Sequence, residues 1–296
     1  MQTLEALRRK VHNAEDLHSI VKTMKALAAV SIRQYEKAVE SLRDYFVTVE
    51  LGFQVLLQKR PAIIERTRQP KTNRLGAIVF GSDQGMCGQL NDQIVSYAIH
   101  MIRQYGIEQQ NLVMLAFGER IFDRLEDAGF TVEDILSVPT SIDGITPRVQ
   151  DVLLKIEQWS ERDYQRVLLF YSRPSGGASY QQTMLSLIPF DREWLKNLQN
   201  KEWESPSLPQ FTLDWDFLFS ALVRQYLFVA LYRAFAESLA SENASRLASM
   251  QSAEKNIEDR LNELQAKYNH FRQLTITEEL LDISAGFEAL TGEEQH

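Results

Sequence analysis

Counting apolar positions in sevens orders the first sixty residues. Leu7, Ala14, Val21, Ala28, Tyr35, Leu42, Val49 and Leu56 form one unbroken apolar or aromatic series. Leu4, Val11, His18, Lys25, Ile32, Val39, Phe46 and Phe53 form a second, apolar at six of its eight places. The two alternate by three and four residues, which is the a/d seam of a coiled coil held over eight heptads. His18 and Lys25 interrupt the seam close together. The spacing predicts a long amphipathic helix that ends near residues 59–60, because Pro61 disfavours helix in the residue before it.

The same periodicity returns at the other end of the chain. Residues 211–296 contain no proline, and their only glycines are Gly286 and Gly292. Eighty helical residues would span on the order of 120 Å, several times the width of a small domain. Leu218, Leu222, Val229, Tyr232, Ala236 and Leu239 keep the three–four spacing with Gln225 as the exception, and the phase slips across 241–246, where residues are small and polar. A second register runs Leu247, Met250, Ile257, Leu261, Leu264, Tyr268 and Phe271, with Glu254 intruding, and a third runs Leu280, Ile283, Phe287, Leu290. Such slips predict an imperfect supercoil.

Between the two helical ends the pattern changes period. Short apolar runs at 75–80, 112–117 and 166–172, a weaker one at 131–139, and a last one at 178–190 read as strands. Helix-period stretches at 92–105, 118–129 and 146–159 separate them. Alternating strand and helix predicts a mostly parallel sheet with helices on its faces, and a final hairpin would add an antiparallel member. The expected division is a helix over 1–60, a linker over 61–74, an α/β domain over 75–190, an irregular connection over 191–210, and a helix over 211–296. The fold class is therefore α/β: a long antiparallel coiled coil of N- and C-terminal helices plus a central Rossmann-like α/β domain.

Charge sharpens the pairing. Residues 1–60 carry ten Lys/Arg against seven Asp/Glu, whereas 210–296 carry seven against fourteen. A basic and an acidic helix flanking one domain fold back together most simply as an antiparallel pair. The net charge of −8 argues against a general nucleic-acid binder, which needs a basic face to neutralise phosphates. The single cysteine, Cys87, cannot form an internal disulfide and suits a reducing compartment. No uncharged apolar run approaches the roughly 18 to 20 residues needed to cross a bilayer, so any membrane link is expected through a partner.

Catalytic signatures are sparse. The turn GSDQGMCGQLN (81–91) joins a strand to a helix, but it is neither GxGxxG nor GxxxxGK[ST] and lacks the lysine of a phosphate-binding loop. It reads as a structural turn. The five histidines, at 12, 18, 100, 270 and 296, are scattered, and neither a metal site nor a cofactor is expected. There is no GxSxG elbow.

Four blocks carry a specific resemblance: IVKTMKALAAVSIRQ (20–34), LGAIVFGSDQGMCGQLN (75–91), SENASRLASMQSAEKN (241–256) and YNHFRQLTITEELLDISAGFEAL (268–290). In this order and spacing the chain resembles the gamma subunit of F-type ATP synthases, the central rotor shaft. The resemblance covers the whole chain, with 92–210 matching in outline. It implies a single-copy shaft inside a ring of three alpha and three beta subunits, with the α/β domain against the epsilon subunit and the c-ring. It implies no bond chemistry in this subunit. It places the protein at the cytoplasmic face of a bacterial-type energy-transducing membrane, as a peripheral component that couples ion translocation to ATP synthesis or hydrolysis.

By position, the resemblance puts Met24 and Lys25 where the shaft faces the lever loops of beta, with Arg33 a further basic position on that surface. Arg272, Gln273, Thr277, Glu279 and Asp282 match positions that hydrogen-bond the catch loop of beta. Ile283, Phe287 and Leu290 match the tip held in the upper sleeve of the ring. Four positions depart from the family pattern: Gln84 for a common arginine, Gln89 for a frequent glycine, Leu247 for a methionine and Ser31 for a lysine. They point to a divergent branch, and a sodium-translocating enzyme is one such branch; the choice of H⁺ or Na⁺ rests on ligands in other subunits. Two rival readings stay open. One is an α/β enzyme with helical dimerisation arms, holding a ligand near residues 82–88 or 174–177. The other is a plain structural coiled-coil scaffold.

Overall fold

The computed structural model describes residues 3–61, 72–176, 179–203, 207 and 209–292, the side chains of 286–292 excepted. The chain divides into two compact units: Met1–Leu27 with Ser249–His296, and Ala28–Ala248. Helix α1 (Leu4–Ser41) and the 78-residue helix α7 (Trp215–Gly292) each contribute to both.

In the first unit the two helices run antiparallel. His18 of α1 faces Glu258 of α7, while Lys25, seven residues on, pairs with Glu254, four residues back. The predicted seam faces inward as far as Tyr268, whereas Phe271, Leu280 and Ile283 of the predicted registers are exposed. Leu7 and Val21 of α1 are buried, as are Met250 and Leu264 of α7. Off-seam Leu17, Ile20 and Leu27 are exposed. Apolar residues at every third and fourth place build a stripe that only a second helix can cover, so periodicity and burial coincide.

The N-terminal helix is not one element. After Ser41 it loses one residue of regular helix at Leu42 and resumes as α2 (Arg43–Lys59). Leu42 N–H reaches back three residues to the Val39 carbonyl at 3.3 Å, the tighter bonding of a local irregularity. The seven-residue pattern runs straight through this break, which is why it was invisible to it. Most of the linker segment, residues 62–71, lies outside the described residues.

The second unit is built on five strands: β1 (Leu75–Phe80), β2 (Leu112–Phe117), β3 (Asp134–Leu136), β4 (Arg166–Gly176) and β5 (Ser179–Ile188), in the order β3-β2-β1-β4-β5. β1 pairs in parallel with β2 and β4, β2 in parallel with β3, and β5 is antiparallel to β4. Helices α3 (Leu90–Gln104) and α4 (Glu119–Asp127) cover one face, meeting Leu75, Ala77 and Val79 of β1. Helix α5 (Ile145–Glu161) and part of α7 cover the other, meeting Ile78 and Phe80. Because both faces are covered, the central strands read as continuous apolar runs rather than alternating ones.

The connection after β5 differs from expectation. Instead of irregular chain, Arg192–Asn200 forms helix α6. Asp191 caps it, accepting a hydrogen bond from the Glu193 N–H at 2.8 Å. Leu195 and Leu198 are buried, and Trp194 packs with Phe53 of α2, Phe190 and Tyr226 of α7. Gln54 and Gln58 of α2 both donate to the Lys201 carbonyl just past its end. Its short apolar spacing, flanked by tryptophans and prolines, hid it; the aspartate cap was the local signal available.

Four tyrosines of this unit, Tyr35, Tyr171, Tyr226 and Tyr232, have phenols pushed above their ordinary value, in each case chiefly by burial. Unfolded tyrosines lose their proton near pH 10. The folded state therefore binds more protons above that pH, and stability must fall as pH rises past about 10. Tyr226→Phe removes one of these groups. Urea unfolding measured from pH 9 to pH 11 should show a shallower alkaline decline in that variant than in the parent.

Candidate functional site

In an open α/β sheet, ligands settle in the crevice beyond the carboxyl ends of the strands, where the strand order reverses. Here that point lies between β1 and β4. The turn 81–88 follows β1, and it is pinned from within. Asn91 Oδ1 accepts from the Ser82 N–H at 3.1 Å, while its Nδ2 donates to Ser82 Oγ at 2.9 Å. Asp83 accepts from the N–H groups of Glu119 at 3.1 Å and Val138 at 2.8 Å, tying the turn to the start of α4 and to the segment after β3. Gly118 sits against this turn with φ of 107°, and a Cβ there would lie 2.6 Å from the Ser82 backbone.

The crevice is filled by the protein's own helix. Ser241 of α7 donates to the Ser172 carbonyl of β4 at 3.0 Å, and Ser245 donates to the Cys87 carbonyl at 2.6 Å. Arg246 reaches the Gln84 carbonyl at 3.5 Å and pairs with Glu242 at 2.6 Å, both side chains almost fully buried. Burial pushes the Glu242 carboxyl above its usual range, the nearby Asp83 charge adds to this, and Arg246 opposes it. The small, polar residues 241–246, where the helical register slips, are thus those that let α7 lie against a turn and hydrogen-bond to its carbonyls. The turn is structural, as its sequence suggested. The ligand place proposed by the enzyme reading near residues 82–88 is occupied by serine and arginine side chains of α7.

Two of the four departures become intelligible here. The structure uses Gln84 through its backbone carbonyl, to which its side chain is immaterial. Gln89 has φ of −94°, so no glycine is needed; the positive φ angles fall instead on Met86 and Gly88. Leu247 and Ser31 are half-buried, and nothing further in the structure explains them.

The residues assigned by resemblance fall into two groups. In the first, Met24 and Lys25 are half-buried rather than free, and the Lys25 ammonium is committed to Glu254. Arg33 is exposed. The second group lies where α7 continues past the paired seam. Arg272, Gln273, Thr277, Glu279 and Asp282 are all exposed. Thr277 Oγ1 donates to the Gln273 carbonyl one turn earlier at 2.8 Å. Leu280 and Leu281 stand between them and Ile283 just after them, exposed by 61%, 63% and 70%. Phe287 and Leu290 have side chains outside the described residues.

His18 is the residue that sequence reasoning passed over. It lies beside Glu254 and Glu258 with potential ligand atoms within 4.8 Å of one another. No sequence spacing could have joined His18 to a pair of glutamates more than 230 residues away.

A sheet whose crevice is closed by its own helix, and a helix pair with a solvent-exposed apolar end, suit the class of subunits that act through contacts with partners. The sequence profile of the ATP synthase family matches residues 3–290. The chain belongs to this family as a gamma chain, the non-catalytic central-stalk rotor of an F-type ATP synthase whose catalysis lies on the beta subunits. Similar relatives include the ATP synthase gamma chain of Buchnera aphidicola, 25% identical over 300 residues and covering 98% of this chain and 99% of the relative. That of Nostoc punctiforme is 26% identical over 319 residues, covering 98% and 100%. Among solved structures, a chain of the Euglena gracilis mitochondrial ATP synthase matches with a TM-score of 0.64 at 18% identity, covering 99% of this chain and 96% of its own length. A chain of the Tetrahymena thermophila central stalk and c-ring matches at 0.58 and 20%, covering 79% and 99%. These are likenesses of fold.

Proposed function

We propose that this gamma chain turns within a ring of three alpha and three beta subunits, as a single copy, with the epsilon subunit and the c-ring at its α/β domain. Rotation of an asymmetric shaft would carry the three catalytic sites in sequence through different states, coupling ion flow to ATP synthesis or hydrolysis. The observation that carries this reading is the stretch of α7 from Phe271 to Ile283. Phe271, Leu274, Ile276, Leu280, Leu281 and Ile283 all stand exposed there, interleaved with Arg272, Gln273, Glu279 and Asp282. Exposed apolar surface of this extent marks an interaction site, and polar groups between fix its register. A sleeve around the helix would cover all its sides at once.

Arg272, Gln273, Thr277, Glu279 and Asp282 are then the groups that hydrogen-bond the catch loop of beta, with Met24, Lys25 and Arg33 on the lever-loop side. Because no helix among the described residues is long and apolar enough to cross a membrane, attachment to the membrane would come through the partners, at the cytoplasmic face.

Reconstitution with alpha and beta subunits tests the reading. The chain should yield a complex of three alpha, three beta and one gamma with ATPase activity, and failure to assemble would sink the proposal. Arg272→Ala should lower the ATPase rate of that complex by about tenfold, the scale of one charge-assisted hydrogen bond of about 1.5 kcal/mol. Helix content of the free chain should be unchanged, since the side chain is exposed. An unaltered rate would remove Arg272 from the catch-loop contact.

A further inference from the structure

We infer that His18, Glu254 and Glu258 form a binding site for one divalent transition-metal ion of the zinc class, bridging the two helices of the first unit. His18 lies on α1, and the two glutamates lie one turn apart on α7, so that both carboxylates face the imidazole. His18 Nε2 is 3.3 Å from a Glu258 carboxylate oxygen; the side chain is 28% exposed, but this atom is closed to solvent and has no partner of hydrogen-bond geometry. A ring nitrogen closed to water without a hydrogen bond carries a desolvation cost. A metal ion would satisfy it.

The donor set selects the ion. One imidazole nitrogen and two carboxylate oxygens suit Zn²⁺ or Co²⁺, whereas Mg²⁺ and Ca²⁺ take oxygen donors. Bonds of 2.0–2.2 Å put donor atoms about 3.3 Å apart around a tetrahedral ion. The side chains must therefore draw in from their present spread, within 4.8 Å of one another, to close on the ion. The Lys25 ammonium is bonded to Glu254. The same lysine competes for that carboxylate, so the ion must displace or share it. The three protein ligands leave room for water in the remaining position. Bound there, the ion would cross-link α1 to α7 at the two polar breaks of the heptad seam, where apolar packing is weakest. This site does not depend on the rotor reading.

Titrating the purified full-length chain with Co²⁺ tests the inference. The parent should bind one equivalent with visible absorption of a low-coordinate site, displaced by Zn²⁺ and untouched by excess Mg²⁺. His18→Ala and, separately, Glu258→Gln should each weaken binding at least tenfold; Glu258 is half-exposed, so its variant keeps the fold. His12→Ala should bind as the parent does, although His12 faces Asp16 on the surface at 3.7 Å. Absence of the Co²⁺ band in the parent, retention of full affinity in the folded Glu258→Gln variant, or loss of binding in His12→Ala would each overturn the assignment.

Discussion

Replacing Phe53 with alanine is expected to lower the stability of the 28–248 unit by about 3–5 kcal/mol, the range for removing a fully buried aromatic ring. Phe53 of α2 is completely buried, and its ring meets Phe190, Trp194, Phe219 and Tyr226. Those partners come from two helices, α6 and α7, and from the segment between β5 and α6, so the cavity cannot close by moving one of them. A unit of this size should melt roughly 10 °C lower. Calorimetry should place that loss in one transition and leave any separate transition of the helix pair where it was. An unchanged melting temperature would mean that the aromatic cluster does not hold α2 and α6 to α7.

A proline at Leu261 should have a comparable effect on the first unit. Leu261 lies in the interior of α7, inside the seam register that includes the buried Met250 and Leu264. The ring would remove one helical hydrogen bond and clash with the carbonyl of Ile257, costing about 3 kcal/mol or more. Helix content by circular dichroism should drop, and pairing of α7 with α1 should weaken with it. Full helix content in Leu261→Pro would deny that this stretch is one continuous helix.

The contrast between these two sites shows what could be read from residues alone. Leu261 belongs to a three–four repeat that any window of the chain displays. Phe53 does too, but its place in the heptad series says only that it is buried. That it meets Trp194 of a helix the periodicity missed, and Tyr226 of another, depends on how distant segments meet. Likewise the run at 75–80 announced a strand buried on both faces, while the break at Leu42 left no mark on the pattern.

The candidate contact residues divide in the same way. Arg272, Gln273 and Asp282 are exposed where α7 continues beyond the seam, which leaves them open to the contact proposed for them. Lys25 appeared in the sequence as a polar interruption and by resemblance as a contact for beta. The structure commits its ammonium to Glu254, so any contact with a partner must compete with that pair.

By itself the sequence determined most of the elements and their faces, α6 and the break at Leu42 excepted: the heptad seam, the strands, their parallel-rich order of alternation with helices, and the absence of the familiar catalytic motifs. These are local properties, fixed by the 3.6- and 2-residue periods of backbone geometry and by the removal of apolar surface from water. Only the tertiary structure decided that Ser241 and Ser245 fill the crevice beyond β1 and β4, and that His18 stands between Glu254 and Glu258. Both outcomes join residues far apart in the chain, and a hydrogen bond or an ionic contact between them leaves no period in the sequence to read.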